Sequence, residues 1–504
     1  MLSRRNAILT ALATSTLPGE LARVRDASAA AQATGTEPFT VLQVQRRTIE
    51  VNGKPASVLA VRQPDGTPGI VTAVGRRFRV RLENQLDVPT SIHWHGLTPP
   101  WQQDGVPGIS GPPIGPGGSA DYDFPLRFGG TFWMHSHQGL QEQELLAAPL
   151  IIRDARDRPD QQEVVVMLAD FSFTPPEQIY DGLRKDGSMV GMPKAAPAKP
   201  DAMAGMNTAT AKPVPAAKAV SAKMEAMALG GAAAAPDLND VKYEAFLAND
   251  RTMADPDVVS VEPGGTILLR IINSSSMSAY HLDLGALSGE LIAVDGFRIS
   301  PVKGRRFPIA VAQRLEIRIA IPRNPGAHPV LAILEGGRSQ AGVILKAGRA
   351  SISRVSAVAA MASPALNLDL ERSLRAAEPL PPRKADRVHQ VNLTGEMAGY
   401  IWSINGVAWT KEVPPLEIAK DERVELVFQN KTPMSHPMHL HGHEFQVVEI
   451  DGKRFAGAVR DTVLVTPGAR VVVAFDANNP GLWAMHCHLL YHADAGMFTT
   501  LRYV

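Results

Sequence analysis

The chain has 504 residues, and its 51 Lys plus Arg against 50 Asp plus Glu give a formal net charge of +1 at pH 7. This balance gives no reason to expect nucleic acid or an anionic membrane as a partner. The single cysteine excludes an intramolecular disulfide, and no stretch approaches the ~18 apolar residues of a membrane span, so packed domain cores must stabilise the fold.

The first 35 residues are predicted to be an export leader and not part of the fold. Residues 3–9 contain the pair Arg4-Arg5 and resemble a twin-arginine signal, and the Ala-rich region 29–33 offers a cleavage site. The twin-arginine route carries folded proteins, which suits a protein that acquires a metal before export. The predicted location is therefore the periplasm, and the alternative is an ordinary tail with two chance arginines.

Short strand-like segments separated by Gly, Pro and Asn turns recur in three sections, 36–155, 156–350 and 387–504. Each section contains a turn followed by an alternating strand that ends in Asn, at residues 80–84, 269–273 and 424–430. Many short strands without long helical patterns are typical of β-sandwiches, and the repeated phrase indicates one unit used three times. The sequence thus predicts an all-β fold of three Greek-key sandwich domains, with a linker of little structure at 351–386.

Residues 186–236, inside the second section, are rich in Ala, Lys, Pro, Gly and Met and are predicted to be disordered. They contain three pairs at Met-x-x-Met spacing, namely Met189/Met192, Met203/Met206 and Met224/Met227. Thioethers select Cu(I), so we expect a flexible loop that gathers cuprous ions. The same spacing also suits one face of an amphipathic helix, and a low-complexity sequence could contain such pairs by chance.

The only cysteine, Cys487, stands between His486 and His488 and is followed by His492 and Met497. The preceding segment is strand-like, so Cys487 would point to one face and its two neighbours to the other. A blue-copper site uses two histidines, one cysteine and a weak axial methionine. A lone cysteine is more often a small buried hydrophobe, but three histidines within five positions of it favour a metal site.

Four pairs of histidines are separated by a single residue, namely His93/His95, His135/His137, His439/His441 and His486/His488. On a strand both imidazoles of a pair point to one face, about 7 Å apart, and can bind neighbouring metal ions. Eight imidazoles are too many for one ion and suit three. His436 is offset by an odd number from His439 and faces the other side, which predicts it as the fourth ligand beside Cys487, His492 and Met497.

With these motifs the sequence resembles the multicopper oxidases over all three β units. The resemblance implies three cupredoxin domains and four copper ions, with a type 1 copper in the third domain and a trinuclear cluster between the first and third. The implied type 1 ligands are His436, Cys487, His492 and Met497. The implied type 2 ligands are His93 and His439. The implied ligands of the type 3 pair are His95, His135, His137, His441, His486 and His488.

Within that family the phrases at 91–96, 104–108, 139–143 and 489–492 resemble those of exported bacterial copper-resistance oxidases. Asp104 resembles the acidic residue that handles protons near the type 2 copper, and its alternative is an aspartate in a Gly-Pro turn.

The sequence also departs from related cuprous oxidases. Thr432 and Ala493 stand where those relatives carry acidic residues, while Met434 and Asp494 are retained. A substrate Cu(I) site is therefore predicted to use Met434, Asp494 and the methionines of the 186–236 segment.

The predicted function is the oxidation of Cu(I) to Cu(II), for copper tolerance, coupled to the four-electron reduction of O2 to water. Electrons are expected to be taken singly at Cys487 and passed through Cys487 to His486 and His488, which together with Asp104 form the predicted catalytic set. The alternatives are a laccase for phenols or aromatic amines and a periplasmic copper-binding or storage protein. A scaffold protein without metals is disfavoured because all the ligands are present. We expect a monomer with no nucleic-acid partner and no transmembrane segment.

Overall fold

The computed structural model describes residues 38–155, 157–158, 161–186 and 238–504. The predicted leader, residues 1–35, and the Met-rich segment beyond residue 186 lie outside the described residues. Among the described residues, no helix has the length and apolar character needed to cross a bilayer.

The first unit consists of two four-stranded sheets, in the orders β2-β1-β4-β6 and β3-β8-β7-β5. Its strands are β1 (Thr40–Val51), β2 (Lys54–Arg62), β3 (Ile70–Ala73), β4 (Arg77–Asn84), β5 (His93–His95), β6 (Ser119–Pro125), β7 (Gly130–His135) and β8 (Ala147–Arg153). Buried side chains of both sheets, such as Leu82 and Phe132, form one core cluster. A short 3₁₀ helix, Trp101–Gln103, precedes Asp104.

The second unit has a six-stranded sheet, β10-β9-β12-β17-β14-β15, and a five-stranded sheet, β11-β19-β18-β13-β16. Its strands are β9 (Gln162–Phe171), β10 (Ala245–Ala248), β11 (Asp257–Val261), β12 (Thr266–Asn273), β13 (Tyr280–Asp283), β14 (Gly289–Val294), β15 (Phe297–Gly304), β16 (Arg306–Ile309), β17 (Arg314–Ala320), β18 (Gly326–Leu334) and β19 (Gln340–Ala347). Helix α1 (Pro176–Asp186) follows β9, with Ile179 and Leu183 buried one turn apart.

The third unit again has two sheets, β21-β20-β23-β29-β25-β26 with β27 paired to β25, and β22-β31-β30-β24-β28. Its strands are β20 (Arg387–Glu396), β21 (Ile401–Ile404), β22 (Leu416–Ile418), β23 (Arg423–Asn430), β24 (His436–Leu440), β25 (Phe445–Ile450), β26 (Lys453–Arg454), β27 (Val459–Arg460), β28 (Thr462–Val465), β29 (Arg470–Asp476), β30 (Leu482–Cys487) and β31 (Phe498–Tyr503). The predicted all-β fold is confirmed by this architecture. The predicted domain boundaries at 155 and 350 stay predictions.

The repeated sequence phrase lies on the same strand of each unit. Strands β4, β12 and β23 each pair in parallel with the first strand of their unit and antiparallel with one other strand. Each ends in a buried asparagine, and the side-chain amides of Asn84, Asn273 and Asn430 donate to backbone carbonyls of the loop that follows. The repeat therefore marks a strand end whose loop is held by asparagine.

The segment predicted as a linker with little structure, 351–386, is largely irregular but is packed against the molecule. It contains the short helix α2 (Asp369–Ser373). Leu374 is fully buried, and the buried Glu371 accepts a hydrogen bond from Arg460. Its leucines, which the Ala, Ser, Pro and Arg content obscured, explain why it packs against the body of the protein.

Candidate metal centre

Four neighbouring strands bring the paired histidines together. His93 on β5 lies opposite His135 on β7, and His439 on β24 lies opposite His486 on β30. The two imidazoles of each pair have ring centroids 4.7 to 5.7 Å apart. Three of the four pairs extend just beyond the end of their strand, because β7, β24 and β30 end before the second histidine.

The pairs of the first and third units share one pocket. The rings of His95 and His439 stack with centroids 3.8 Å apart, and those of His93 and His441 lie 3.9 Å apart. Ligand atoms lie within 4.8 Å of one another in several histidine triplets. These triplets are His93/His95/His439, His95/His135/His488 and His137/His441/His486. Residues more than 300 positions apart thus form a single eight-imidazole cluster.

Asp104 holds two of these rings from the outside. Its backbone carbonyl accepts a hydrogen bond from His93 Nδ1 at 2.9 Å, and its carboxylate accepts one from His441 Nδ1 at 2.8 Å. Such contacts fix the tautomer and the orientation of a metal-binding imidazole. Asp104 is 1 % exposed, and its second carboxylate oxygen lies 3.2 Å from His93 Nδ1 without a well-aligned hydrogen bond in the described structure.

Asp461, which the sequence did not single out, performs the same role on the opposite side. Its carbonyl accepts from His439 Nδ1 at 2.8 Å and its carboxylate from His95 Nε2 at 3.0 Å. The buried Arg314 from the second unit donates to the same carboxylate. Burial raises the pKa of Asp461, while Arg314 acts to lower it. The guanidinium therefore keeps a charged carboxylate compatible with this buried position.

Glu142 orients a third part of the cluster. Its carboxylate lies 2.7 Å from His135 Nδ1 and 3.9 Å from His488 Nδ1. The His135 nitrogen is also 3.1 Å from the carbonyl of Ser136. With Nδ1 turned outward, Nε2 of His135 faces the pocket.

The inward nitrogens fit a metal cluster. Within the described residues, Nε2 of His93, His137, His439 and His488 is buried without any hydrogen-bond partner. A buried imidazole nitrogen without a partner costs free energy unless a ligand satisfies it. Burial, reinforced by neighbouring imidazoles, lowers the pKa of His137 and His439, which favours the neutral form that binds metals.

A second pocket lies on the other side of Cys487. Its Sγ is 3.6 Å from His436 Nδ1 and 4.0 Å from His492 Nδ1, and those two nitrogens are 3.2 Å apart. Met497 is fully buried, and its carbonyl accepts a hydrogen bond from the Cys487 N–H. Burial raises the pKa of the Cys487 thiol, so a thiolate there requires a compensating cation. This donor set is the one that a type 1 copper uses.

The outer nitrogens of this second pocket also have partners. His436 Nε2 lies 2.7 Å from Thr432 Oγ1, and His492 Nε2 donates to Asp240 Oδ2 at 2.8 Å. The ring of Trp402 stacks on His492 at 3.9 Å. Thr432 thus forms the hydrogen bond to His436 at the position where the sequence lacks the expected acid.

Of the residues predicted to bind substrate Cu(I), the described part of the chain contains Met434 and Asp494, and these two line different pockets. Met434 lines a small buried cavity with Met277 and Glu335, whereas Asp494 lines a separate open cleft. Asp494 lies on helix α3 (Leu490–Asp494). Met434 and Asp494 therefore line different pockets, and a substrate Cu(I) site that uses both stays a prediction. The six methionines Met189, Met192, Met203, Met206, Met224 and Met227 lie outside the described residues.

The open cleft reaches the eight-imidazole pocket from solvent. It has a volume of about 300 Å³ and is lined by His137, His486, His488 and Glu142. A small molecule can therefore approach these histidines directly.

Comparison with known proteins identifies the family. Sequence models described as multicopper oxidase match residues 43–157, 163–351 and 382–504. The chain belongs to the multicopper oxidase family. It is therefore a copper-dependent oxidoreductase that uses O2 as electron acceptor, and the predictions of family, enzyme class and copper cofactor are confirmed.

Several relatives cover nearly the whole multicopper oxidase chain. The multicopper oxidase MmcO of Mycobacterium tuberculosis is 31% identical over 96% of this chain and 91% of its own. Copper resistance protein A of Escherichia coli is 27% identical over 87% of this chain and 88% of its own. The laccase from Botrytis aclada superposes with a TM-score of 0.72 at 21% identity, covering 92% of this chain and 88% of that one. The last likeness shows the fold alone.

Proposed function

We propose that this oxidase binds its type 1 copper with His436, Cys487, His492 and Met497. The observation that carries the proposal is the Nδ1/Nδ1/Sγ triangle, with sides of 3.2 to 4.0 Å, at the residue that directly joins His486 and His488 of the eight-imidazole pocket. The peptide chain itself connects the two pockets, so no third residue has to bridge them.

The eight paired histidines hold the trinuclear cluster in this proposal. His93 and His439 are the type 2 ligands, and the type 3 ligands are His95, His135, His137, His441, His486 and His488. Copper bound at these sites supplies one-electron redox chemistry, in which four single electrons from substrate convert O2 to two waters.

Residues of the chain prepare the pocket for that chemistry. Asp104, His441 and His93 form one hydrogen-bonded group, which fixes two rings in position. The second carboxylate oxygen of Asp104, 3.2 Å from His93 Nδ1, is placed to hold a proton beside the pocket, since water formation consumes four protons. Asp461 and Glu142 orient the remaining rings through their own hydrogen bonds.

Cu(I) is the substrate that we favour. Met277 and Met434 offer thioethers to one cavity, and Glu335 adds a carboxylate. Met434 stands two residues before His436, and the cavity wall includes Leu238, the first described residue after the Met-rich segment. A cuprous ion delivered by that segment would therefore reach the type 1 ligands through sulfur donors.

Relatives with printed functions in copper resistance, iron transport and laccase activity leave a second candidate, an oxidase of phenols or aromatic amines. The aromatic side chains of Trp402 and Tyr400 beside His492 favour this candidate. A copper-storage protein is the third, and it differs from both in consuming no O2.

The proposed location is the periplasm, reached by the twin-arginine route. Support comes from the Arg4-Arg5 pair and from a functional assignment that requires copper to be present at folding. We also propose that the protein acts as a monomer, since one chain supplies every ligand of both pockets.

Copper content, the visible spectrum and O2 uptake test this function together. We expect about four copper ions for each chain, an intense thiolate-to-copper band and O2 consumption on addition of Cu(I). Copper binding without O2 consumption would favour storage and would contradict the oxidase proposal.

Removal of residues 186–236 tests the substrate. We expect Cu(I) oxidation to fall more than the oxidation of a bulky phenol, because only Cu(I) uses the methionines. Equal losses of both activities would remove the reason for assigning Cu(I).

A further inference from the structure

A file of aromatic rings leads from the surface to the type 1 ligands. Trp402 lies on His492 at 3.9 Å with an interplanar angle of 24°. The ring centroid of Tyr400 lies 5.7 Å from that of His492 and 5.9 Å from that of Trp402, and Tyr180 lies 6.3 Å from Tyr400. Trp402 and Tyr400 are buried, whereas Tyr180, on helix α1, is partly exposed.

The indole N–H of Trp402 is buried without a hydrogen-bond partner in the described structure, as are those of Trp94 and Trp133, so it does not set these rings apart. The hydrogen bond of Tyr400 does. The hydroxyl of Tyr400 donates to Asp240 Oδ2 at 2.5 Å, so this buried phenol already has a proton acceptor.

The type 1 ligands are also shielded from large donors. His436 and His492 are both fully buried, and the outer nitrogen of His492 is covered by Asp240. An organic molecule at the surface cannot touch either imidazole. It must therefore donate its electron through intervening side chains.

We propose that Tyr180, Tyr400 and Trp402 form an electron relay that accepts electrons from phenols or aromatic amines at the α1 surface. One electron leaves the donor and reduces the type 1 copper from Cu(II) to Cu(I), and a phenol releases its proton to solvent at Tyr180. When Tyr400 is transiently oxidised, its phenolic proton moves to Asp240 and returns with the replacing electron. No bond is formed to the substrate, and the relay residues end in their starting state.

This relay rests on the proposed function, because it needs copper at Cys487. It separates two routes to the same centre. Cuprous ions use the cavity with Met277 and Met434, whereas aromatic donors use the ring file. Two independent routes would then lead to one buried site.

Flash photolysis of the copper-loaded full chain tests the relay. The only native cysteine is the buried Cys487, so Glu177→Cys on α1 can be labelled selectively with a ruthenium photo-oxidant, three residues from Tyr180. The type 1 copper is first reduced, which bleaches the thiolate band. A light pulse then excites the label, a dissolved electron acceptor oxidises it, and the readouts are the transient tyrosyl signal and the return of the thiolate band.

In the labelled protein we expect a tyrosyl signal that decays as the thiolate band returns. Tyr400→Phe and Tyr180→Phe should each slow that return about tenfold or more, equivalent to about 1.4 kcal/mol in the barrier. Tyr280→Phe removes another buried phenol hydroxyl, one that contacts Ser275 outside the file, and should leave the rate unchanged.

The outcomes separate the relay from the function on which it rests. An unchanged return rate in both Tyr180→Phe and Tyr400→Phe would overturn the relay. Absence of a thiolate band in the unaltered, copper-loaded protein would overturn the type 1 assignment instead. Copper content and band intensity of each variant show that the type 1 site has formed, and Tyr180→Phe, at a partly exposed position, keeps the test valid if Tyr400→Phe does not fold.

Discussion

The two pockets on either side of Cys487 are built differently. In the eight-imidazole pocket, outward ring nitrogens bond to Asp104, Asp461 and Glu142, all buried. In the pocket of His436 and His492, the outward nitrogens meet one hydroxyl and one carboxylate, and aromatic and thioether groups surround them.

Under the proposed function, the difference corresponds to two tasks. A pocket that reduces O2 must hold several ions at fixed positions, and the ring of buried carboxylates and guanidinium provides that rigid frame. A pocket that accepts electrons needs only one ion but must choose its donors. Its surroundings, an aromatic file and a methionine cavity, determine which donors reach it.

The largest effect is expected when the link between the pockets is cut. Cys487→Ser should abolish the thiolate band and all substrate oxidation, because the soft ligand and the connection to His486 and His488 are both altered. Copper analysis should show about three of the four ions retained, since the eight imidazoles are untouched. Turnover by the serine variant at the native rate would contradict the comparison.

The second largest effect is expected when the buried ion pair of Arg314 and Asp461, which supports the eight imidazoles, is broken. Arg314→Met leaves Asp461 buried without its guanidinium and should lower the free energy of unfolding by about 3–5 kcal/mol. Arg318→Met, on the same strand but paired with Glu290 near the surface, is the matched control and should cost about 0–1 kcal/mol. Denaturant unfolding of the two variants measures the difference, and equal costs would refute the role given to the frame.

A pH-dependent effect is expected at the methionine cavity. Burial raises the pKa of Glu335 from 4.5 to about 7. The folded state therefore keeps this proton where the unfolded chain has lost it, and native stability falls as pH rises from 4.5 through 7. Glu335→Gln cannot ionise, so at about pH 8 it should be more stable than the native chain by up to about 3 kcal/mol.

The same variant reports on the substrate route. At about pH 4 the Glu335→Gln substitution should leave thermal stability unchanged, because both side chains are then neutral. At neutral pH it should raise KM for Cu(I), since a carboxylate ligand is lost, without altering KM for an aromatic amine. A parallel rise in both KM values would place Glu335 outside the Cu(I) route.

The smallest effect concerns the proton-holding residue. Asp104→Asn keeps the hydrogen-bonding shape beside His93 and His441 but removes the charge, and it should lower kcat about 10- to 100-fold. The thiolate band should not change, because Asp104 touches only the eight-imidazole pocket. A shifted band would show that the two pockets are not independent in the way described.

The residues that could be predicted from sequence are those with local signals. The x-separated histidines, Cys487 and the repeated Asn strand ends depend on strand periodicity, which short segments reveal. Asp240 gave no such signal, since it meets His492 across 252 residues of sequence. Asp461 likewise contacts His95 from the far end of the chain, and its role arises only from tertiary packing.

Other misses have different causes. Glu142 lies within the 139–143 phrase that supported the resemblance, so a position next to a paired-histidine strand was an available signal. The packing of residues 351–386 was not predicted, because their Ala, Ser, Pro and Arg content is typical of a linker. Met434 stays a predicted substrate ligand, and its cavity neighbours Met277 and Glu335 come from the second unit and could not be found without the fold.

Anomalous scattering at the copper edge, measured on crystals of the copper-loaded protein, tests the central claim most directly. We predict one copper among His436, Cys487, His492 and Met497, and three more enclosed by the eight paired histidines on the other side of Cys487. Fewer copper positions in the eight-imidazole pocket, or a copper bound away from Cys487, would contradict the account.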